Sequence, residues 1–444
     1  MAAENTIFQK VISLCSRHSY IFKAQQRCAS GLYELGPLGM ELKHNICTEW
    51  WYSMVTSQGN VYGVECPSIN RELQHRHFTK TTGNATNDAN TEHENESCRQ
   101  EEDDHLYSVP SSVFRTSLYQ GTLLQYLHIK DLANKQLPFG TAQKGTCFRH
   151  RREQGADRFI FDTQEFTQLS VQYYCFPNTA AQQLDSWQRQ RLDWWRKFAE
   201  NPSNFTATDI QTKDQVQTLD IQYKFPWGPD TIERIYNRGQ LPMDELLRWM
   251  NEGEVDCKRR VDAAGIDQGS AKDGGKKDLV DMLKARHGRK QTLPHTIEMT
   301  TCVESGMLAY LLDGFSEKQD VAQSTQKSPP KGPLQVMTFH SKLAPIKVAI
   351  VIKGSAARAL QEISQYLQGE FRKSNMNVIE MDRTLTLQQM YRRADAMGVL
   401  FTIFVHEDTV KDGTIGIRSL GEAIVQGQHI TQVKEFVLRH INHE

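Results

Sequence analysis

The sequence predicts an α+β region followed by a compact α/β domain, on three observations. Apolar residues recur every four positions from Leu38 to Met54, the period of a helix with one buried face. A polar stretch with a double proline, Ser316–Gln335, separates this region from the C-terminal part of the chain. From Lys347 onward, short apolar runs alternate with amphipathic ones, the strand–helix rhythm of an α/β domain of about a hundred residues.

Pro37, after Gly36, suits the first turn of a helix, where its missing N–H has no partner to lose. Leu38, Leu42, Ile46, Trp50 and Met54 form that helix's apolar stripe, and Gly59 and Asn60 end it. A second helix is expected from Ala180 to about Glu200, with Leu184, Trp187, Trp194, Trp195 and Phe198 facing a core and Asn201-Pro202 as its stop. Lys347–Ile352 (KVAIVI) reads as a buried strand, Ala356–Phe371 as a helix, Asn377–Met381 as a strand and Leu387–Met397 as a helix. Val399–Val405 reads as a strand, Asp412-Gly413 as the turn of a hairpin into Thr414–Arg418, and Ile430–Ile441 as a closing helix.

Composition bounds the function. The 444 residues suggest two to four domains, and 39% hydrophobic with 24% charged residues is ordinary for a chain that buries a core. The longest apolar run, Val399–Val405, is too short to cross a bilayer, so no membrane partner is expected. Nine cysteines without a C-x-x-C pair argue against a zinc ribbon or a disulfide framework, and no metal or cofactor is expected. A net charge of −1 excludes a histone-like polycation and confines any nucleic-acid contact to local patches. Met1–Cys15 carries Glu4 and lacks a charged leading region, so it reads as neither a secretory signal nor an Arg-rich transit peptide.

Three breaks divide the chain. Cys66–Asp104 is polar, Asn-rich and acidic, and reads as a disordered insert. Val255–Lys290 is mixed in charge and contains glycines; Ser316–Gln335 is the linker. The expected organisation is one domain over 1–65 and 105–315, with inserts at 66–104 and 206–290, then a linker at 316–342 and a separately held domain at 343–444.

Several motifs carry a resemblance. Gly31–Trp51 (GLYELGPLGMELKHNICTEWW) resembles the first motif region of glycyl-tRNA synthetase, a class II aminoacyl-tRNA synthetase. Leu137–Gly140, Ala142-Gln143 and Phe148-Arg149 resemble the second; Leu343–Val348 and Phe401–Arg418 resemble that family's anticodon-binding domain. The resemblance implies a class II synthetase-like antiparallel-sheet domain followed by an anticodon-binding-like α/β domain. It also identifies nucleotide-site positions that have degenerated. Arg149 matches the arginine that clamps the ATP α-phosphate, but Arg151 stands where an acidic residue is expected. Within Arg115–Gly121, Ser117 replaces the glutamate that receives the substrate amino group. In the third motif, Glu304 stands in the glycine-rich turn and Ser305 replaces the ATP-binding arginine. Fixed cations stabilise the charge that develops on the phosphate, and losing one preorganised donor typically costs about 10²–10³ in rate. A catalytically silent site is therefore expected.

Trp194–Phe205 (WWRKFAENPSNF), Phe225–Gly228 (FPWG) and Gly306–Phe315 (GMLAYLLDGF) resemble a narrower family, the accessory subunits of mitochondrial DNA polymerase gamma. That resemblance implies a non-catalytic processivity factor of the mitochondrial matrix and its nucleoid. Its implied partners are the polymerase catalytic subunit and duplex primer-template DNA. Homodimerisation stays open, because the polar Cys66–Asp104 insert stands where vertebrate relatives carry a dimerising bundle. Two basic clusters, Lys258, Arg259 and Arg260, then Lys276, Lys277, Lys284, Arg286, Arg289 and Lys290, are the expected DNA contacts, although interleaved aspartates also fit a solvated surface. The alternative is an active glycyl-tRNA synthetase.

Overall fold

The computed structural model describes residues 2–24, 32–71, 112–149, 158–252, 274–318, 333–354, 357–422 and 426–442. The insert expected at 66–104 lies outside the described residues from 72 onward, as do Arg151 and the cluster Lys258, Arg259 and Arg260.

The first domain is built on an eight-stranded sheet. Its spatial order is Val61–Val64, Phe139–Phe148, Glu165–Cys175, His295–Cys302, Gly228–Gly239, Val216–Phe225 and Phe205–Ala207, with Gln211–Lys213 also on Val216–Phe225. All pairings are antiparallel except the one joining Val61–Val64 to Phe139–Phe148. The stretch expected as a second insert, 206–290, thus supplies two of the longest strands of the sheet. Over 216–239 it is part of the framework, because Leu219, Ile221, Tyr223 and Phe225 alternate into the core with polar residues between them.

One face of the sheet is covered by three helices. Pro37–Trp51 buries Leu38, Leu42, Ile46 and Trp50, and a π-helical turn, Tyr52–Thr56, carries the stripe on to Met54. Ala180–Lys197 buries Leu184, Trp187, Trp194 and Trp195. Val303–Asp313 is buried on every side, its carboxylates Glu304 and Asp313 being hydrogen-bonded within the protein. On the other face, Tyr119–Leu124, Tyr126–Leu132, Leu241–Asn251 and Gly274–Leu283 form a smaller core around Tyr126, Phe139, Tyr174 and Met243.

The C-terminal domain is a five-stranded sheet in the order Val378–Glu380, Val348–Ile352, Phe401–Val405, Thr414–Ser419, Gln426–His429. The first three strands are mutually parallel, and the last two join antiparallel. Asp412-Gly413 does not turn a two-residue hairpin. A six-residue helix, Glu407–Asp412, intervenes, and Gly413 ends it at φ +77°, a left-handed cap that glycine adopts without strain.

Strands lie at both ends of the expected linker: Phe315–Lys318 and Leu334–Met337 pair as an antiparallel ribbon. The domain beyond it is not held apart. One face of its sheet packs on its own helices through Val348, Ile350, Leu367, Phe371 and Val437. From the other face, Ala349, Val351 and Phe404 join the main core through Met337, Phe339, Leu343, Met390 and Met397. Polar ties cross the same junction. Tyr20 Oη donates to the Met397 carbonyl at 3.0 Å, and Asn377 Nδ2 to Glu41 Oε2 at 2.7 Å.

Candidate functional site

Arg149 stands just past the strand Phe139–Phe148, where the chain leaves the sheet. Its guanidinium turns onto the backbone of the next turn, donating from Nε to the Thr163 carbonyl at 2.7 Å and from Nη2 to the Phe161 carbonyl at 2.6 Å. Its Cζ also lies 4.7 Å above the Phe166 ring. Arg149 and Ser305 line one cavity of about 280 Å³, together with Gln168, Arg234, Tyr236 and Thr300. Small-molecule pockets usually enclose about 300–1,000 Å³. Arg234 is committed to Asp220 at 2.6 Å. Both guanidiniums at this cavity are therefore engaged within the protein.

The other expected positions diverge. Glu304, expected beside Ser305 in the degenerated nucleotide site, does not line the Arg149–Ser305 cavity. Its Oε1 accepts from Lys43 Nζ at 2.8 Å and its Oε2 from the Thr167 N–H at 2.9 Å, tying the Val303 helix to the Pro37 helix and to the sheet. Arg115 is buried and spends its donors on the carbonyls of Thr146, Cys66 and Pro67, at 2.7, 2.6 and 3.1 Å. The Ser117 hydroxyl accepts the Tyr119 N–H at 3.2 Å. Burial, with the Glu304 charge, pushes the nearby Cys302 thiol up to about 11, which keeps it from acting as a nucleophile near neutral pH.

Under the helix Tyr119–Leu124, the polar face of the sheet holds a guanidinium that none of the motifs contains. Arg238 pairs with buried Glu298 and lies between two rings, its Cζ 4.9 Å from that of Tyr119 and 4.4 Å from that of Tyr236. Burial raises the Glu298 pKa, and the Arg238 charge opposes that rise. Tyr119 Oη donates to Glu245 at 2.8 Å, and Gln172 Nε2 to the Tyr119 carbonyl at 2.9 Å. The available signal was alternation: Glu298 stands between Ile297 and Met299, so it points away from their core.

The most specific sequence motifs meet each other in space. Trp195 stacks with Tyr310 at 5.6 Å, and Tyr310 Oη donates to the Trp195 carbonyl at 3.1 Å. A Cβ on Gly306 would fall 2.6 Å from Trp195 Cη2, so only glycine fits that contact. Asp313 accepts from the Asn201 N–H at 2.8 Å and from Asn204 Nδ2 at 2.9 Å. Trp227 stacks on Phe225 at 4.8 Å and meets Phe8 edge-on at 5.5 Å. These residues pack and bond against one another and build the frame.

Of the second basic cluster, Arg286, Arg289 and Lys290 are exposed on a small hairpin, Ala285–His287 with Lys290–Thr292. The hairpin docks on exposed Lys135, whose carbonyl accepts the Arg286 N–H at 2.6 Å. Four cations are thereby gathered at one place. Lys284 is half-buried and paired with Asp281 at 2.7 Å. Lys276 and Lys277 lie on the helix Gly274–Leu283.

The chain is similar to known proteins along nearly its whole length. Residues 347–440 match the anticodon binding domain family. A mitochondrial DNA polymerase subunit gamma-2 of Xenopus laevis is 31% identical over 441 residues, covering 96% of this chain and 86% of that one. DNA polymerase subunit gamma-2 of Bos taurus is 29% identical, covering 98% and 85%. A glycine–tRNA ligase of Treponema denticola is 24% identical over 92% of each chain. The fold is that of a class II aminoacyl-tRNA synthetase joined to an anticodon-binding domain.

Proposed function

The chain belongs to the DNA polymerase subunit gamma-2 family, and on that premise we propose that it is a non-catalytic accessory subunit of a mitochondrial DNA polymerase. The observation that carries this reading is likeness to such subunits along 96% of the chain, across both domains. The inward-turned Arg149 and the serine at position 305 support catalytic silence, since adenylation needs cations aimed at the developing phosphate charge. The same positions count against the glycine–tRNA ligase alternative.

The work of such a subunit is tethering. A protein that holds both the catalytic subunit and the duplex makes re-engagement intramolecular, so dissociation slows while the chemistry is unchanged. The cations at Lys135, Arg286, Arg289 and Lys290 support a duplex contact read through phosphates, not bases. For the polymerase contact we assign the C-terminal domain, whose exposed Tyr366 and Val410 stand on the helices Ala357–Lys373 and Glu407–Asp412. An interface of about 800 Å² per partner fits a domain of this size. The mitochondrial matrix is the proposed location.

The test mixes the full chain with the polymerase catalytic subunit on a long primed template. Co-purification and longer products at unchanged single-nucleotide incorporation are expected. Failure to co-purify, together with glycine-dependent ATP–pyrophosphate exchange, would replace this reading with the ligase.

A further inference from the structure

We infer that the cleft between the N-terminal helix and the C-terminal domain binds linked phosphate groups, at a site separate from the 285–292 hairpin. The cleft encloses about 790 Å³. Lys10 and Arg17 enter it from the helix Ala2–Arg17, Glu317 from the ribbon, and Arg392 and Arg393 from the helix Leu387–Ala396. Four strong cations thus line it with one carboxylate. That carboxylate is already matched, with Lys10 Nζ 2.7 Å from Glu317 Oε2. Arg17 turns to uncharged groups: Nη2 donates to Gln335 Oε1 at 2.7 Å and Nε to the Ser13 carbonyl at 3.4 Å. Arg393 acts on the Asp382 carboxylate, which does not line the cleft.

Like charges gathered in a concave wall repel one another and focus the field on whatever enters. His18, in the same wall, registers that field. Burial first, then the charges of Arg17 and Arg393, hold its imidazole down to about 4, so it is neutral at physiological pH. An anion in the cleft would cancel the field and offer the protonated ring a partner.

Size and donor type narrow the ligand. The volume lies in the range that accepts a drug-sized molecule, well beyond a single phosphate. Arginine forks suit phosphate oxygens in pairs. The arginines come from two opposed elements, which suits two or more linked phosphates, and Leu334, Leu385 and Gln389 leave room for an uncharged part. Such groups occur in a free oligophosphate and along a nucleic-acid strand.

The test uses the full chain and follows the His18 imidazole by NMR, assigned through the resonance lost in His18→Gln. Inorganic pyrophosphate and, separately, a single-stranded oligodeoxynucleotide are added. Either is expected to raise the His18 pKa by about one unit or more. The rise should vanish in an Arg17→Gln/Arg393→Gln double variant, both exposed positions, and survive charge reversal at Arg286 and Arg289. A rise with pyrophosphate alone identifies a free oligophosphate; a rise with oligonucleotide at lower concentration identifies a strand. If neither ligand moves His18, or if the rise persists in the double variant, the site is not there.

Discussion

Arg149 Nε donates to the Thr163 carbonyl at 2.7 Å, so the arginine that matches the second synthetase motif here fastens a turn. The consequence is a stability effect without a catalytic one. Arg149→Gln should lower unfolding free energy by about 1.5–3 kcal/mol, the range for hydrogen bonds involving a charged group. It should leave stimulation of the polymerase unchanged at temperatures where the variant is folded. Urea unfolding and product-length assays check both. Glycine-dependent pyrophosphate exchange that is present in the wild type and lost in the variant would contradict the assignment.

A second prediction concerns Glu233. It is 1% exposed, as is Arg191, and accepts from Arg191 Nε at 2.7 Å, Arg191 Nη2 at 3.0 Å and Trp195 Nε1 at 2.6 Å. Glu233→Ala leaves a guanidinium buried without its counter-charge, at a cost of about 3–5 kcal/mol. Removing Arg191 as well, as Met, should recover much of that loss. A single-variant loss below about 1 kcal/mol by denaturant unfolding would show that the site relaxes or admits water.

How far the sequence foretold this molecule depends on how local each signal was. The Leu38–Met54 stripe and the Lys347–Ile352 strand were legible because periodicity and apolar runs are properties of a few neighbouring residues. The strands Val216–Phe225 and Gly228–Gly239 were hidden within an expected insert, since burying one face leaves them polar in composition. The Glu407–Asp412 helix is too short to show a period, and its Asp-Gly end imitates a hairpin turn. At the site, local motifs single out Arg149 and Ser305 as positions. That Arg149 binds carbonyls, and that Glu304 reaches Lys43 across 261 residues, are long-range facts that no local pattern carries.

The junction gives a third prediction. Separate domains would tolerate a cut in the linker, but here Met337, Phe339, Leu343, Val351 and Met397 belong to the main core. A chain ending at Pro333 should therefore expose an apolar face, bind a hydrophobic dye and aggregate. Size-exclusion chromatography reads this directly. A monomeric fragment with a cooperative thermal transition would mean that the junction is weaker than its packing implies.

Nucleic-acid binding gives the fourth. Salt dependence counts phosphate contacts, with a slope of about −0.9 for each one on duplex DNA. Changing Arg286, Arg289 and Lys290 together to Glu should flatten the log–log slope by about 2 to 3 and weaken all sequences alike. Because these residues are exposed on the hairpin, stability should be unaffected. An unchanged slope would move the duplex contact elsewhere.

The fifth prediction rests on His18. Its pKa is about 4 in the folded chain, against an ordinary value of 6.5. Between those values the unfolded chain binds a proton that the folded chain refuses. Stability therefore rises with pH across this window and falls as pH drops from 6.5 towards 4. His18→Gln removes the titrating group, so the variant should lose less stability than the wild type between about pH 7 and about pH 5, measured as the shift in urea midpoint. If both chains lose the same amount, the imidazole is not held neutral. An anion in the cleft lifts the folded value back towards 6.5, so added pyrophosphate should shrink the acid loss of the wild type. In His18→Gln it should shrink the acid loss less than in the wild type, because no imidazole remains there to be titrated.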